Sequence, residues 1–195
     1  MEKVSIGASN NFCPQPVFLF GTAKEDGSPN FGMFTWAGYC WDAEFCFMAA
    51  VEAGTMTSDR IRASKMFSAN LVTEPLLPLA DYFGNVSGHT PGKMDVPAEV
   101  ERGRVLDVPV LKDSPWVFEL EVKQTVPLDG NDIFICKIRN VLAAKELTDE
   151  SINVDERVKI AAPVIWFGAN PYYAVNPAKL GEAGEWKDLF KKAVS

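Results

Sequence analysis

Three hydroxyl side chains crowd one turn of the sequence, at the start of a segment that predicts a helix. They are Thr55, Thr57 and Ser58, and the helical segment adds the basic residues Arg60, Arg62 and Lys65. The first N–H groups of a helix have no intrahelical acceptor and lie at the positive end of its dipole, so they readily bind a phosphate group. Helix capping explains the same hydroxyls, because Ser and Thr are favoured cap residues.

The segments around this turn predict a strand, a helix and a second strand. Residues 44–51 are a buried-type apolar run, residues 58–67 have apolar side chains at helical spacing, and residues 67–73 return as an extended run. The helix is therefore expected to cross over between two strands. The hydroxyl turn would lie where the first strand ends.

Two hairpins are predicted on either side of this unit. Residues 16–22 and 31–37 are apolar strands separated by an Asp-Gly pair, which is a strong turn signal. Residues 116–126 alternate apolar and polar side chains, and residues 133–142 return after another turn. Both pairs are expected to be antiparallel.

The remaining segments are shorter or less regular. Residues 75–84 predict a short helix, and residues 85–112, rich in Gly, Pro and charge, predict an irregular loop. Residues 163–168 and 172–175 predict short strands, and residues 185–193 predict a terminal helix. Many short strands with few helices indicate a single mostly β domain over residues 1–195, built as a small closed barrel with appended helices; a sandwich is the alternative.

The composition argues against several classes of function. A net charge of −7 disfavours nucleic-acid binding, because phosphate backbones require a basic surface. No apolar run approaches the roughly 18 residues of a membrane span, and the first residues lack a signal-peptide pattern, so a soluble cytoplasmic protein is expected. The four cysteines show no metal-ligand spacing and are expected to be reduced thiols. Cys40 is singled out because it ends a predicted strand beside the proposed site.

Common catalytic motifs are absent. The segment Gly88-His89-Thr90-Pro91-Gly92-Lys93-Met94 only superficially matches a P-loop, since the glycine spacing is one residue short and Met94 replaces the Ser or Thr. There is no GxGxxG fingerprint, and a hydrolytic nucleophile would have to use His89, the single histidine. Nothing in the sequence indicates hydrolysis.

Three aromatic residues, Trp36, Tyr39 and Trp41, follow the second predicted strand. They are interpreted either as core or interface packing or as a wall for a flat aromatic cofactor, because rings stack well on such surfaces. A large apolar patch of this kind also favours self-association.

Several of these segments, in this order, resemble the FMN-binding split-barrel proteins of the flavin-reductase-like family, in the flavoredoxin-like branch. The opening hairpin reads PQPVFLFGTAKEDGSPNFGMFTW, and the strand, turn, helix and strand read FCFMAAVEAGTMTSDRIRASKMFSANLV. The segments NVSG, KMD and PVIWFGANPYYAVN follow. The chain departs from the commoner family pattern at Trp41-Asp42-Ala43-Glu44 and at Glu52, where relatives often carry prolines and a basic residue, respectively.

The resemblance implies a six-stranded antiparallel Greek-key split β-barrel, a homodimer, and FMN bound near the subunit interface. By the same resemblance, Thr35, Trp36 and Ala37 would line the flavin ring, with Ala50 and Val51 beside it. Thr55, Met56, Thr57 and Ser58 would hold the ribityl phosphate. The site would be closed by Ser87, Gly88 and Lys93.

This family assignment predicts an FMN-dependent oxidoreductase that passes electrons from NADH or NADPH to a small acceptor. No side chain need act as an acid or base, since the flavin carries the redox chemistry. One alternative is a non-catalytic electron carrier whose FMN serves a protein partner. The other is a ligand-binding barrel without flavin.

Overall fold

The computed structural model describes residues 1–168, 171–175 and 178. Its strands are β1 (Gln15–Pro16), β2 (Phe18–Ala23), β3 (Pro29–Phe34), β4 (Ala37–Trp41), β5 (Phe45–Glu52), β6 (Met66–Leu71), β7 (Val100–Arg102), β8 (Pro109–Leu111), β9 (Trp116–Pro127), β10 (Asn131–Ala143), β11 (Val164–Trp166) and β12 (Tyr172–Ala174). Its helices are α1 (Met56–Ser64), α2 (Leu77–Asn85), α3 (Lys145–Thr148) and α4 (Val154–Ala161).

The main sheet of the described chain has seven antiparallel strands in the order β3-β2-β6-β9-β10-β5-β4. Its two edge strands, β3 and β4, are successive parts of one chain segment that is interrupted at Thr35 and Trp36. That segment therefore passes from one edge of the sheet to the other and curls it around the core. Two smaller sheets accompany it, in the orders β1-β11-β12 and β7-β8.

Phenylalanine rings fill the inside of the curled sheet. Phe20 stacks on Phe34 with ring centroids 4.7 Å apart and contacts the edges of Phe47 and Phe67. A second apolar cluster lies between β2, β3 and α2, where Phe31 stacks on Phe83. Burial of side chains of this size supplies much of the hydrophobic stabilisation of a domain of this length.

A buried carboxylate attaches the β7–β8 hairpin to the main sheet. Glu119 accepts N–H bonds from Arg104, Val105 and Leu106 at 2.6–2.9 Å, and an amide bond from Asn140 at 2.7 Å. Burial alone would raise the pKa of this carboxyl, but the donated bonds hold it below its usual range. The strand β9 that carries Glu119 thus fixes the loop between β7 and β8.

The mostly β architecture, both predicted hairpins and the crossover helix are confirmed. The expected strand count of six is not confirmed: the main sheet has seven strands as bounded here, because the predicted strand 31–37 divides into β3 and β4. The interval 85–112, predicted to be irregular, contains β7 and β8, and α3 and α4 were not predicted. The predicted helix over 185–193 lies outside the described residues. No helix in the described part of the chain is long and apolar enough to cross a bilayer.

Candidate functional site

A cleft of about 550 Å³ opens where the segment between β3 and β4 leaves the sheet, which is a size typical of small-molecule sites. Its lining comes from the ends of β3 and β5, from the C-terminal end of α2, from the start of β10 and from the small sheet. The lining residues are Met33, Phe34, Thr35, Trp36, Ala50, Glu52, Asp81, Gly84, Asn85, Asn131, Trp166 and Tyr172.

The interrupted strand explains why the cleft forms here. Thr35 and Trp36 lie between β3 and β4, and the carbonyl of Trp36 accepts the N–H of Ala50 at 2.9 Å. The backbone of this break is therefore held against β5 while its side chains line the opening. Trp36 is half-exposed, and Trp166 lines the same cleft from β11. Two indole side chains thus line the same cleft, and indole rings stack well on flat ring systems.

The N-terminus of α1 adjoins this cleft. Thr55 is the N-cap: its hydroxyl accepts the N–H of Ser58 at 3.2 Å and donates to the carbonyl of Glu52 at 2.9 Å. Because Glu52 lines the cleft, the cap links the cleft to the first turn of α1. The N–H groups of Met56 and Thr57 at the start of α1 have no intrahelical acceptor, so this end of the helix can bind an anion.

Ser58 does not face a ligand, since its hydroxyl anchors α1 to the sheet. The hydroxyl donates to the buried carboxylate of Asp132 at 2.8 Å. The guanidinium of Arg62 binds the same carboxylate through two atoms, at 2.6 and 2.7 Å. Hydrogen bonds from Arg62 hold the pKa of Asp132 below its usual range. This network fixes the position and tilt of α1 relative to β10.

Thr57 is also committed inside the protein. The residue is buried, with 4% of its surface exposed. Its hydroxyl accepts a hydrogen bond from the side-chain amide of Asn30 at 3.2 Å, and the same amide donates to the hydroxyl of Thr22. The side-chain oxygen of Asn30 is buried without a hydrogen-bond partner among the described atoms. A buried acceptor of this kind is rare in native structures.

The segment after α2 packs directly on the first turn of α1. A Cβ on Gly88 would lie 2.4 Å from Cβ of Met56 and 2.7 Å from the oxygen of Asn30, so only glycine allows this approach. Ser87 is exposed next to it, and its hydroxyl accepts the N–H of His89 at 3.2 Å. Met56, Ser87 and Gly88 therefore form one border of the region between α1 and α2.

Lys93 is buried against the end of α2. Its ammonium group donates to the carbonyl of Phe83 at 3.1 Å and lies 5.6 Å from the centre of the Phe83 ring. Burial, with a smaller contribution from Lys24, lowers the pKa of Lys93 to about 8. The side chain thus ties the loop to α2 rather than lining the cleft.

The cleft brings together three of the expected site residues, Thr35, Trp36 and Ala50. Ala37 and Val51 are buried in the core beside it. The others lie along the α1 turn and the loop after α2, outside the cleft lining; they are Thr55, Met56, Thr57, Ser58, Ser87, Gly88 and Lys93.

Several residues that line the cleft were not predicted from the sequence. Trp166 and Tyr172 lie in the final quoted segment, whose aromatic content was the available signal. Asp81, Asn85 and Asn131 gave no signal, because only the fold brings them to the cleft. The hydroxyl of Tyr172 contacts Asp81 at 3.0 Å; burial and this carboxylate raise the pKa of the phenol to about 12.

The charged groups that line the described part of the cleft are both acidic. They are Glu52 and Asp81, each on an exposed residue. Basic side chains line a separate depression of about 460 Å³ that includes Met56, where Arg60 pairs with Glu25 at 3.0 Å. An anion in the cleft would therefore depend on backbone N–H groups and hydroxyls more than on paired cations.

The buried amine gives a pH-dependent prediction for Lys93→Met. The amine has a pKa of 10.5 when unperturbed and about 8 in the fold, so the unfolded chain binds more protons between those values. The contribution of Lys93 to the free energy of unfolding therefore increases as pH rises through that interval. We expect the free energy of unfolding of the wild type, relative to that of Lys93→Met, to increase by on the order of 1–3 kcal/mol between about pH 8 and about pH 10.

Urea unfolding of both proteins across this pH range measures the gain. The exposed Lys145→Met variant is the control and should follow the wild-type protein at every pH. A constant difference between wild type and Lys93→Met would show that the amine is not buried as described.

Comparison with known proteins agrees with the geometry. The model of the flavin reductase like domain matches residues 10–170. A search of curated proteins finds no match. Among solved structures, the chain is similar to the flavoredoxin of Desulfovibrio vulgaris (Miyazaki F), with 26% identity, a TM-score of 0.84, and coverage of 94% of this chain and 98% of that one.

Two further structures share the fold. One is the flavoredoxin from Methanosarcina acetivorans, with 21% identity, a TM-score of 0.84, and coverage of 97% of this chain and 100% of that one. The other is an FMN-binding protein from Thermus thermophilus with bound p-hydroxybenzaldehyde, with 17% identity, a TM-score of 0.74, and coverage of 93% and 98%. The split-barrel architecture of the chain matches these neighbours.

Proposed function

The chain belongs to the flavin reductase like family, in its flavoredoxin-like branch, and from this premise we propose that it binds FMN and acts as an oxidoreductase. The observation that carries the proposal is the cleft of about 550 Å³ lined by Trp36 and Trp166, which adjoins the N-terminus of α1. Indole rings stack on flat ring systems, and the N-terminus of a helix binds a phosphate.

Two features of the region between α1 and α2 fit this cofactor. Gly88 allows the backbone to approach Met56 more closely than any side chain would permit. The N–H groups of Met56 and Thr57 begin α1 and have no intrahelical acceptor, so they can bind an anion. One phosphate-sized position fits FMN better than FAD, whose second nucleotide would require a further site.

The residues of the chain would bind and orient the cofactor rather than transfer protons. Bound FMN supplies the redox chemistry. Thr35, Trp36 and Ala50 would contact the ring, and the backbone N–H of Met56 would face the phosphate. The hydroxyl of Thr55 would donate to the phosphate only by turning its hydrogen away from the carbonyl of Glu52. Ser58 and Thr57 would act indirectly, because their hydroxyls hold α1 and Asn30 in place. Lys93 would fix the loop that closes the site.

NADH or NADPH is the proposed electron donor, and a small molecule is the proposed acceptor. The alternative of a protein-serving electron carrier is favoured by one observation: Glu52 and Asp81 give the cleft negative charge, which opposes the entry of an anionic dinucleotide. Oxidation of NAD(P)H by the FMN-loaded protein would establish turnover. A yellow protein without that activity would be a carrier.

Cofactor identity tests the proposal. We expect protein reconstituted with a mixture of FMN, FAD and riboflavin, then desalted and acidified, to release FMN as the main flavin on chromatography. Release of mainly FAD, or of no flavin, would exclude the proposed site.

We also propose a homodimer, with the exposed rings at the end of the β4–β5 hairpin at its interface. Tyr39, Trp41 and Phe45 are each at least 65% exposed, and Trp41 and Phe45 pack on each other with centroids 5.0 Å apart. Exposed apolar patches of this kind mark association surfaces. Light scattering at micromolar concentration should give the dimer mass for the wild type and the monomer mass for Trp41→Arg.

The control for the dimer is Phe12→Arg, which changes another exposed aromatic residue. It should leave the mass at that of the dimer. A monomeric wild-type protein, or equal dissociation of both variants, would remove the hairpin from the interface.

The role of the Thr55 hydroxyl is tested by Thr55→Ala. We expect roughly tenfold weaker FMN binding, because the hydroxyl would exchange its bond to the carbonyl of Glu52 for a stronger bond to the charged phosphate, and bonds to charged groups contribute about 1.5–3 kcal/mol. Loss of the cap should also lower the stability of the apoprotein by about 1 kcal/mol. Fluorescence quenching of the flavin and thermal melting of the apoprotein measure the two effects.

Asn153→Ala is the matched control, since Asn153 caps α4 in the same way, accepting the N–H of Glu156 at 2.9 Å. It should lose similar stability and keep its FMN affinity. Equal FMN affinity for Thr55→Ala and the wild type would assign Thr55 to helix capping alone.

A further inference from the structure

Two cysteines face each other across the β4–β5 hairpin. Cys40 and Cys46 are directly paired in the antiparallel register. In this hairpin, Asp42 donates its N–H to the carbonyl of Glu44, and Ala50 donates its N–H to the carbonyl of Trp36, so both opposed residue pairs are hydrogen-bonded. Hydrogen-bonded and non-hydrogen-bonded pairs alternate along antiparallel strands, so the pair Cys40–Cys46 is a hydrogen-bonded pair as well. Its Cα atoms are therefore about 5.5 Å apart, inside the range of roughly 4.4–6.8 Å that a disulfide requires.

The two thiols lie on one face of the hairpin, because directly opposed residues of paired strands share a face. Cys46 is fully buried and Cys40 is half-buried. On the neighbouring strands, Lys123 pairs with Asp42 at 2.6 Å and Lys137 pairs with Glu44 at 3.3 Å. A small reagent would thus reach the pair through Cys40.

We propose that Cys40 and Cys46 are a redox modification site, oxidised by a hydroperoxide to a cross-strand disulfide. The thiolate of Cys40 attacks the O–O bond of hydrogen peroxide and forms a sulfenic acid, releasing hydroxide. The thiol of Cys46 then attacks that sulfur and water leaves. Two thiols and one peroxide give one disulfide and two waters. A small dithiol or thiol reductant reverses the step by exchange.

The geometry favours a reversible bond over a permanent one. Cβ atoms opposed across strands are about 4.5–5.5 Å apart, whereas a relaxed disulfide needs about 3.5–4.5 Å. Closing the bond therefore draws the strands together and strains it, and strained disulfides are more easily reduced. Burial, with Cys46 and Asp42 nearby, raises the pKa of Cys40, so its thiol is mostly protonated at neutral pH and reacts only with excess oxidant.

The position of the pair determines what the bond would change. Along the hairpin, Cys40 is four residues from Trp36, and Cys46 is four residues from Ala50, which lines the cleft. This spacing corresponds to about 13 Å along each strand. On the other side of the pair are the exposed rings of Trp41 and Phe45. A disulfide here would stiffen the hairpin that joins the cleft to the proposed dimer surface. The proposal does not depend on flavin binding.

The test uses the full chain with Cys13→Ser, which removes an exposed thiol that could join two molecules. The protein is treated with excess hydrogen peroxide, and separately with diamide, and its thiols are counted after denaturation. We expect the loss of two of the three remaining thiols, and their recovery with dithiothreitol. Cleavage after Glu44 and after Trp41 should yield a Cys40–Cys46 peptide pair lighter by two hydrogen atoms.

Variants assign the bond to this pair. Cys40→Ser and Cys46→Ser should each form no intramolecular disulfide, whereas Cys136→Ala should still form one, although Cys136 is buried on the adjacent strand. Retention of all thiols, a crosslink that contains Cys136, or oxidation of Cys40 to sulfinic acid without a crosslink would each overturn the proposal. The peptide map of the parent protein decides the matter even where a variant fails to fold.

Discussion

Replacing Ala50 with Trp should reduce FMN affinity by at least about 100-fold while the protein remains folded. Ala50 lines the cleft from β5, opposite the break that carries Trp36. An indole at this position would fill the space that the flavin ring is proposed to occupy. A loss of this size corresponds to about 3 kcal/mol of binding free energy. Fluorescence titration with FMN measures the affinity, and a thermal melt verifies folding.

Met48→Trp is the matched control for this prediction. Met48 lies two residues earlier on β5, on the same face and also half-buried, but it does not line the cleft. This variant carries the same added ring and should keep wild-type affinity. Equal affinity for Ala50→Trp and the wild type would place the flavin elsewhere, and equal losses in both variants would indicate a general disturbance of β5.

Replacing Asp132 with Ala should lower the free energy of unfolding by about 1.5–3 kcal/mol, the usual contribution of hydrogen bonds to a charged group, because the partner Arg62 is half-exposed. The carboxylate is fully buried and accepts bonds from Arg62 and Ser58. Its loss leaves the guanidinium of Arg62 without this partner and frees α1 from β10. Urea unfolding at neutral pH measures the change. Glu121→Ala, which breaks the exposed pair with Arg139, is the control and should cost less than about 1 kcal/mol.

The effect of Asp132→Ala should depend on pH in a defined direction. Hydrogen bonds from Arg62 lower the pKa of Asp132 in the fold below its unperturbed value of 3.8. The stabilisation is therefore complete above that value and is lost as pH falls through the lower folded pKa. The difference between wild type and Asp132→Ala should shrink as the solution is acidified below about pH 4. A difference that stays constant into strong acid would contradict the ion-pair account.

Local patterns in the sequence predicted most of the strands. The alternation in residues 116–126 and the Asp-Gly turn between the first strands are local signals, and both hairpins formed as expected. The helix α4 was missed although Val154, Val158 and Ala161 recur at helical spacing, because the segment is only eight residues long. The break at Thr35 and Trp36 was also missed, because nothing in the local sequence marks where the chain leaves one edge of the sheet for the other.

The candidate site was less accessible to sequence reasoning than the fold. The hydroxyl turn was located correctly at the start of a helix, yet the partners of its hydroxyls are distant in the chain. Ser58 bonds Asp132, 74 positions away, and Thr57 bonds Asn30, 27 positions away. No spacing rule connects such residues. Lys93 likewise reads as a free loop cation in the sequence, while the fold buries it against Phe83.

Direct titration of the purified protein with FMN tests the central proposal. The absorbance spectrum of the bound flavin and the quenching of its fluorescence should saturate at one FMN per chain, and Ala50→Trp should abolish both signals while Met48→Trp retains them. FMN that remains fluorescent and separates from the wild-type protein on gel filtration would contradict the assignment of this cleft as a flavin site.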